Sequence, residues 1–467
     1  MCISAEIMSR AGGTLIHWRE RAGLFAGGLV ASSLVAASLA APAVAVAGGP
    51  PSVTPAYGTP QLAPTGTTEQ VRQLVQCGST MYAVGHFTSI SGHGTTYTRD
   101  NVFSFSATAP YAVTSWNPSV NGVVNSITFS GSNCADAYIG GKFSQVGSTS
   151  VSNLAEVDTS TGAVVTGFKH SANSQVETLL GVDNHILAGG YFTSINGSSR
   201  HYMASLDPST GADDGFLTLN ISGNYSFAPS NGSRVYNQQL SHSGQYDLVE
   251  GDFTSVGGLP RQQIFMLDLT GATATVTPWT SPEWDGSSNA YPYECATVEP
   301  FYIQAASWSP DDSTIYIGTT GYHPNGYPTG ATPRTGLCDA AAAFPATQGP
   351  VTHLWVNYTG CDSLYSTAAD GSTAYFGGHE RWSQNANDCD AAGPGAIKAP
   401  GMEGLSPTTG LLTYNPTRGR GLGADDMLIT SAGLWIASDN ASNTNNCGLT
   451  SAGKPDYGHA GICLLPY

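Results

Sequence analysis

Leu187-Ala-Gly-Gly-Tyr-Phe-Thr-Ser-Ile-Asn-Gly197, followed by Ala204-Ser-Leu-Asp-Pro-Ser-Thr-Gly211, decides the fold of this chain. The first phrase reads as a strand with an apolar pair, two glycines, a variable residue and an aromatic, running into a polar glycine-rich loop. The second is a strand that ends in a tight turn, because Asp, then Pro, then a closing Gly suit a turn with a left-handed residue. Related phrases recur along the chain. They start at Tyr82, Tyr138, Leu187, Leu248, Tyr316 and Tyr375, and Leu434-Trp-Ile-Ala-Ser-Asp439 keeps the strand without the glycines. The starts are 56, 49, 61, 68, 59 and 59 residues apart.

Each copy brings further strands with it. The turn returns in Ala155-Glu-Val-Asp-Thr-Ser-Thr-Gly162 and Gly404-Leu-Ser-Pro-Thr-Thr-Gly410, and an outer strand then closes on Trp116-Asn-Pro118, Phe168, Trp279, Trp355 or Tyr414-Asn-Pro416. A short strand such as Val123–Ile127 or Val176–Leu179 leads into the next copy, through turns such as Asp370-Gly371. That makes four strands per unit. The spacing predicts an all-β chain, a seven-bladed β-propeller of four-stranded antiparallel blades over residues 48–467, about 60 residues to a blade. Paired glycines fit close backbone approach near the axis, and none opens a helix that would cradle a phosphate. The last copy lacks its outermost strand. Ser52–Tyr57, ahead of the first inner strand near Val71–Val75, is the mature N-terminal strand that fills the gap, closes the ring and covers two sheet edges with Val53 and Tyr57 buried.

The Gly-Gly-x-Phe-Thr-x-(Ile/Val)-x-Gly phrase, the Leu-Asp-Pro-x-Thr-Gly turn and the closing Trp-Asn-Pro resemble exported β-propellers of actinobacteria, similar to kelch and delta-60 repeats. The resemblance spans nearly all of the chain after residue 47. It implies a fold and an extracellular place, and it transfers no catalytic residue set.

Residues 1–47 read as a signal peptide. Arg10, Arg19 and Arg21 precede the apolar stretch Leu24–Ala40, which runs into the small-residue site Ala45-Val-Ala47. A retained anchor is the alternative, and the Ala, Gly and Ser content of the stretch disfavours it. The expected product is secreted, monomeric and free of the membrane after cleavage. Without three Arg and two Glu of the leader, 13 basic and 31 acidic residues remain, a net charge of −18. Nucleic acid is excluded as a partner, since phosphate binding needs clustered Lys and Arg.

Cys77, Cys134, Cys295, Cys338, Cys361, Cys389, Cys447 and Cys463 remain after the leader, an even set that reads as four disulfides in an exported chain. Cys77 with Cys134, at equivalent places in neighbouring blades, and Cys447 with Cys463, in the last blade, are the favoured pairs. No metal or cofactor motif is present, and no Gly-x-Ser-x-Gly elbow. Thr367–Thr373 has a faint likeness to a sialidase Asp-box, but an Asp-Gly turn explains it.

Charge is scarce except in His379-Glu380-Arg381-Trp382 and Arg418-Gly-Arg420, with Asp425-Asp426 just beyond. Alternating strands place both segments at one mouth of the ring, with the loops 319–336 and 384–400 and, at their ends, Cys338, Cys389 and Cys447. Three readings follow. The Arg side chains pair with Glu380, Asp425 and Asp426 and lock the last blades; or Trp382 stacks on a sugar that Arg and Asp grip; or Glu380 and Asp425 or Asp426 form a catalytic carboxylate pair. The function expected is extracellular binding of a glycan or a cell-surface protein. The alternative is a secreted polysaccharide hydrolase or lyase, or a copper oxidase.

Overall fold

The computed structural model describes residues 49–63, 67–224, 232–284, 301–321, 336–389, 391–421, 423–440, 447–455 and 460–467. The expected signal peptide lies outside these residues. The chain is all-β, with no helix among the described residues.

Seven antiparallel sheets follow one another along the chain, each opened by a lead strand: Gln70–Cys77, Val123–Phe129, Val176–Val182, Arg234–Leu240, Ile303–Trp308, Leu364–Ala369 and Ala424–Thr430. The glycine-bearing strand comes second in every sheet, as in Asp136–Lys142 or His185–Gly190. A third strand follows it, Leu154–Asp158 and Met203–Leu206 in these two. Sheets four to six have a fourth strand; in the first three, single bridges such as Val157 to Val164 stand in its place. The polar loops after the glycines are short hairpins, for instance Ser194–Ile195 against Ser198–Ser199.

The N-terminal segment hydrogen-bonds to the last strand of the seventh sheet and to Leu449. The amides of Ser52 and Ala56 donate to the carbonyls of Pro466 (2.7 Å) and Leu464 (2.8 Å), and Leu449 N–H donates to Val53 O (2.9 Å). Val53 and Tyr57 are exposed, against the sequence expectation that both are buried; the segment is held by its backbone.

Apolar side chains fill the spaces between successive sheets. Ala155 and Val157 of the second sheet pack with Tyr82 and Val84 of the first. Phe265 of the fourth packs with Leu187 of the third, and Ile436 of the seventh with Tyr375 of the sixth. One such cluster joins the last sheet to the first, with Trp435 and Leu464 against Phe103 and Phe105. Closing aromatics add a hydrogen bond across these seams. The indoles of Trp116, Trp279 and Trp355 donate to the carbonyls of Asp158, Pro345 and Pro407 in the following sheet. Tyr414 donates in the same sense to Ser52 O, in the N-terminal segment (3.0 Å).

Among the described residues disulfides join Cys77 to Cys134 and Cys447 to Cys463, each with Cα atoms 5.8 Å apart, and Cys361 to Cys389 at 5.1 Å. Cys338 is also disulfide-bonded, and Cys295 lies outside the described residues. No described helix is long and apolar enough to cross a membrane.

Candidate functional site

Every lead strand contains a β-bulge near its start. The pairing register skips between Val71 and Gln73, Val124 and Ser126, Val176 and Thr178, and Val235 and Asn237. It skips again between Ile303 and Ala305, Leu364 and Ser366, and Ala424 and Asp426. A bulge leaves its extra residue outside the ladder and re-aims that side chain. The seven extra residues are Arg72, Asn125, Glu177, Tyr236, Gln304, Tyr365 and Asp425.

The paired glycines are the counterpart of these bulges. Gly141 lies opposite Val124 at the bulge, where a Cβ would sit 2.1 Å from Val123 O. The glycine before it makes room for the next sheet: a Cβ on Gly140 would meet the side chain of Val176 at 2.6 Å. Gly189 and Gly190 repeat the pattern against Val235 and Gln175. One glycine therefore admits the kinked lead strand and its partner admits the neighbouring sheet.

All seven bulge residues line one cavity of about 620 Å³, walled by the lead strands of all seven sheets. Such a volume suits a small ligand, for which pockets of roughly 300–1,000 Å³ are typical. The ring is polar throughout. Arg72 donates to Asn125 Oδ1 (2.6 Å), and Asn125 donates to Glu177 (2.8 Å). Gln70 donates to Asp425 Oδ1 (2.8 Å), Tyr236 donates to Ile303 O, and the Tyr365 hydroxyl meets His379 Nδ1 (2.8 Å). These contacts fix the ring without exhausting it. Arg72 is exposed and Gln304 half-buried.

Dense surrounding protein also tunes the charges. Asp425 meets the cavity with part of its surface, yet burial and the neighbouring Asp439 push its carboxyl up to about 8, against the pull of Arg72 and Gln70. Burial raises Glu177 as well, opposed by Gln175, Arg234 and Arg72. Asp426 lies beside the ring, is raised by burial to about 6, and accepts the Leu74 amide (2.8 Å) across the seam between the last and first sheets.

The residues singled out in the sequence part company here. Arg381 grips Asp362 with Nε and Nη2, both at 2.8 Å, and its amide donates to the same carboxylate at 3.0 Å. Arg420 adds a contact to Asp362 at 3.1 Å and another to His379 O. For Arg381 and Arg420 the partner is thus Asp362, because the loop at Cys361 brings it under both guanidinium groups, whereas the charge of Arg418 is opposed by Asp439, Glu380 and Asp425. Arg418 is completely buried against the carbonyls of Gly419 (3.2 Å) and Gly401 (3.5 Å). Glu380 is buried too, and burial reinforced by Glu403 holds its carboxyl well above the usual range. It has no exposed surface and does not line the cavity that Asp425 and Asp426 line. Trp382 is half-buried in the small hairpin with Ile397–Lys398. Of the eight, Asp425 and Asp426 line the axial cavity, and His379 touches it through Tyr365.

Sequence reasoning passed over Arg72, Asn125, Glu177, Tyr236, Gln304 and Tyr365. A partial signal lay in the facing strands, where Gly85, Gly141, Gly190, Gly251 and Gly378 stand opposite five of the seven bulges. Asp370 is a turn residue: its carboxylate accepts the amides of Ser372 (2.7 Å) and Thr373 (2.8 Å), and the hydroxyls of Tyr375 (2.6 Å) and Tyr467 (2.9 Å). Among the described residues no group of three or more His, Cys, Asp or Glu is placed to hold a metal ion.

No protein-family model and no curated protein matches the chain. Among solved structures, it is similar to the computationally designed protein Ika8, with a TM-score of 0.43 and 9% identity over 89% of this chain and 100% of that one. It is also similar to the WD40 β-propeller domain of Doa1, with a TM-score of 0.37 and 11% identity over 83% and 95% of the two chains. Both likenesses are distant.

Proposed function

We propose that this chain is an exported seven-bladed β-propeller, its ring closed by residues 52–56, that binds a carbohydrate in the axial cavity. The observation that carries the reading is the set of seven equivalent bulges, each aiming one polar side chain at the same space. Hydroxyl-rich ligands are held by many directional hydrogen bonds rather than by apolar area, and amides, tyrosines and partly neutralised carboxylates supply both donors and acceptors. Apolar clusters between successive sheets, one of them joining last to first, support the ring. The disulfides are compatible with export.

A glycan array with the full mature protein, followed by product analysis on the bound members, tests the function. Binding without turnover is the expected result; product formation would favour the secreted-enzyme alternative, and an empty array would overturn the carbohydrate reading. Ring closure has its own test in a chain that starts at Pro60. It loses the Ser52, Ala56 and Val53 hydrogen bonds, each worth about 1 kcal/mol in a total margin of roughly 5–15 kcal/mol. A lower Tm and aggregation through the bared edge are expected, whereas an unchanged monomer would mean that the ring closes without this segment.

A further inference from the structure

A second cavity, of about 350 Å³, lies at the rim where the second and third sheets meet, lined by Lys142, Asn153, Ser174, Gln175 and Tyr191. Two contacts tie it to the axial cavity. Gln175 donates to Glu177, a ring residue. The Tyr191 hydroxyl accepts from Arg234, whose guanidinium lies 5.2 Å from the Tyr191 ring and 5.3 Å from that of Tyr236, another ring residue. The two spaces therefore share a wall of side chains.

The chemistry of the second space is different. Its one formal charge is the Lys142 ammonium, exposed and without a hydrogen-bond or ion-pair partner among the described residues. The chain has four lysines and a net charge of −17, so carboxylates to neutralise this one are plentiful, and none reaches it. Beside it, the Tyr191 hydroxyl receives a bond from a cation and keeps its own proton to donate, which strengthens it as a donor toward an anion. The neutral side chains around the pair are already oriented: Asn153 donates to Ala172 O at 2.9 Å. The acidity of the whole molecule does not forbid an anion here, because charges more than about 8 Å away are screened at physiological ionic strength.

We propose that the Lys142 cavity receives an anionic substituent, a carboxylate or a sulfate ester, on the same saccharide whose neutral hydroxyls occupy the axial ring. The inference rests on the carbohydrate reading and narrows it to acidic saccharides. Lysine suits this role as a compact charge with three rotatable donors that accepts either anion geometry.

The test is an array holding matched neutral, uronate and sulfated oligosaccharides, probed with the parent protein, Lys142→Ala and Lys142→Arg. The bound members are expected to be anionic, with Lys142→Ala weakening them about tenfold or more and Lys142→Arg retaining most of the affinity. The uronate and sulfate arms then tell which substituent is recognised. Melting temperatures should be unchanged, since the side chain is exposed. Neutral members bound as well as their charged counterparts, or anionic binding that survives Lys142→Ala, would overturn this inference and leave the axial site standing. An array on which nothing binds would overturn the axial reading itself.

Discussion

The rim of the sixth sheet and the axial ring both hold charged side chains, and they use them in opposite ways. At the rim the charge is consumed internally: Asp362, buried, takes donors from Arg381 and Arg420, while Glu380, Glu403 and Arg418 are sealed from water. In the ring Arg72, Glu177 and Asp425 line the 620 Å³ cavity, with amides and phenols among them. The rim charges are spent on internal contacts; the ring charges line a cavity. A rare charge draws attention in a sequence, but backbone geometry decides whether that charge is offered to a partner or spent within the fold.

The sharpest way to break this contrast is to remove Asp362. Asp362→Ala leaves two partly exposed guanidinium groups without their shared carboxylate, so the cost falls below the about 3–5 kcal/mol typical of breaking a fully buried pair. A fall in Tm with ligand binding intact below the melt is the expected outcome, read by calorimetry and titration. A variant that melts with the parent but binds poorly would turn the rim into a binding site.

A smaller effect, with a definite sign, should come from Glu403. Burial pushes its carboxyl up to about 8, with the Ser383 hydroxyl pulling the other way. A raised carboxyl pKa means that the folded protein holds this proton more tightly than the unfolded chain. Its stabilising influence is complete below the unfolded value near 4.5 and is lost as pH rises toward about 8. The slope from one such group is at most about 1.4 kcal/mol per pH unit. Chemical denaturation of Glu403→Gln should therefore match the parent near pH 4, exceed it at pH 8 and show a flatter pH profile between; parallel profiles would mean that Glu403 is ionised in the fold.

The repeat was legible because glycines, turn prolines and closing tryptophans are local signals, tied to backbone shape at fixed offsets. The close approach that the Gly140-Gly141 pair implies is to the bulged strand on one side and to the next sheet on the other. The candidate site was less legible. Arg72, Gln304 and Tyr365 carry no motif, since a bulge is created by pairing between strands and cannot be seen in one strand alone. Asp362 escaped notice because it lies between Cys361 and Ser363, away from the charged runs, and reaches Arg420 only through the fold.

Within the ring the predicted costs to stability are slight and the costs to binding are large. Arg72→Ala removes one exposed hydrogen bond to Asn125, worth about 0.5–1.5 kcal/mol, and should leave Tm nearly unchanged while weakening the ligand measurably by titration. Equal binding by this variant would narrow the site to the opposite side of the cavity.

Gln304 lines the cavity and is half-buried, so bulk added there reports on occupancy of the cavity. Gln304→Trp adds such bulk to the 620 Å³ cavity. Titration of the variant with a glycan that the parent binds should show no binding, with the parent's melting temperature preserved. Full affinity in a correctly folded Gln304→Trp protein would contradict the account, because it would place the ligand outside the axial ring.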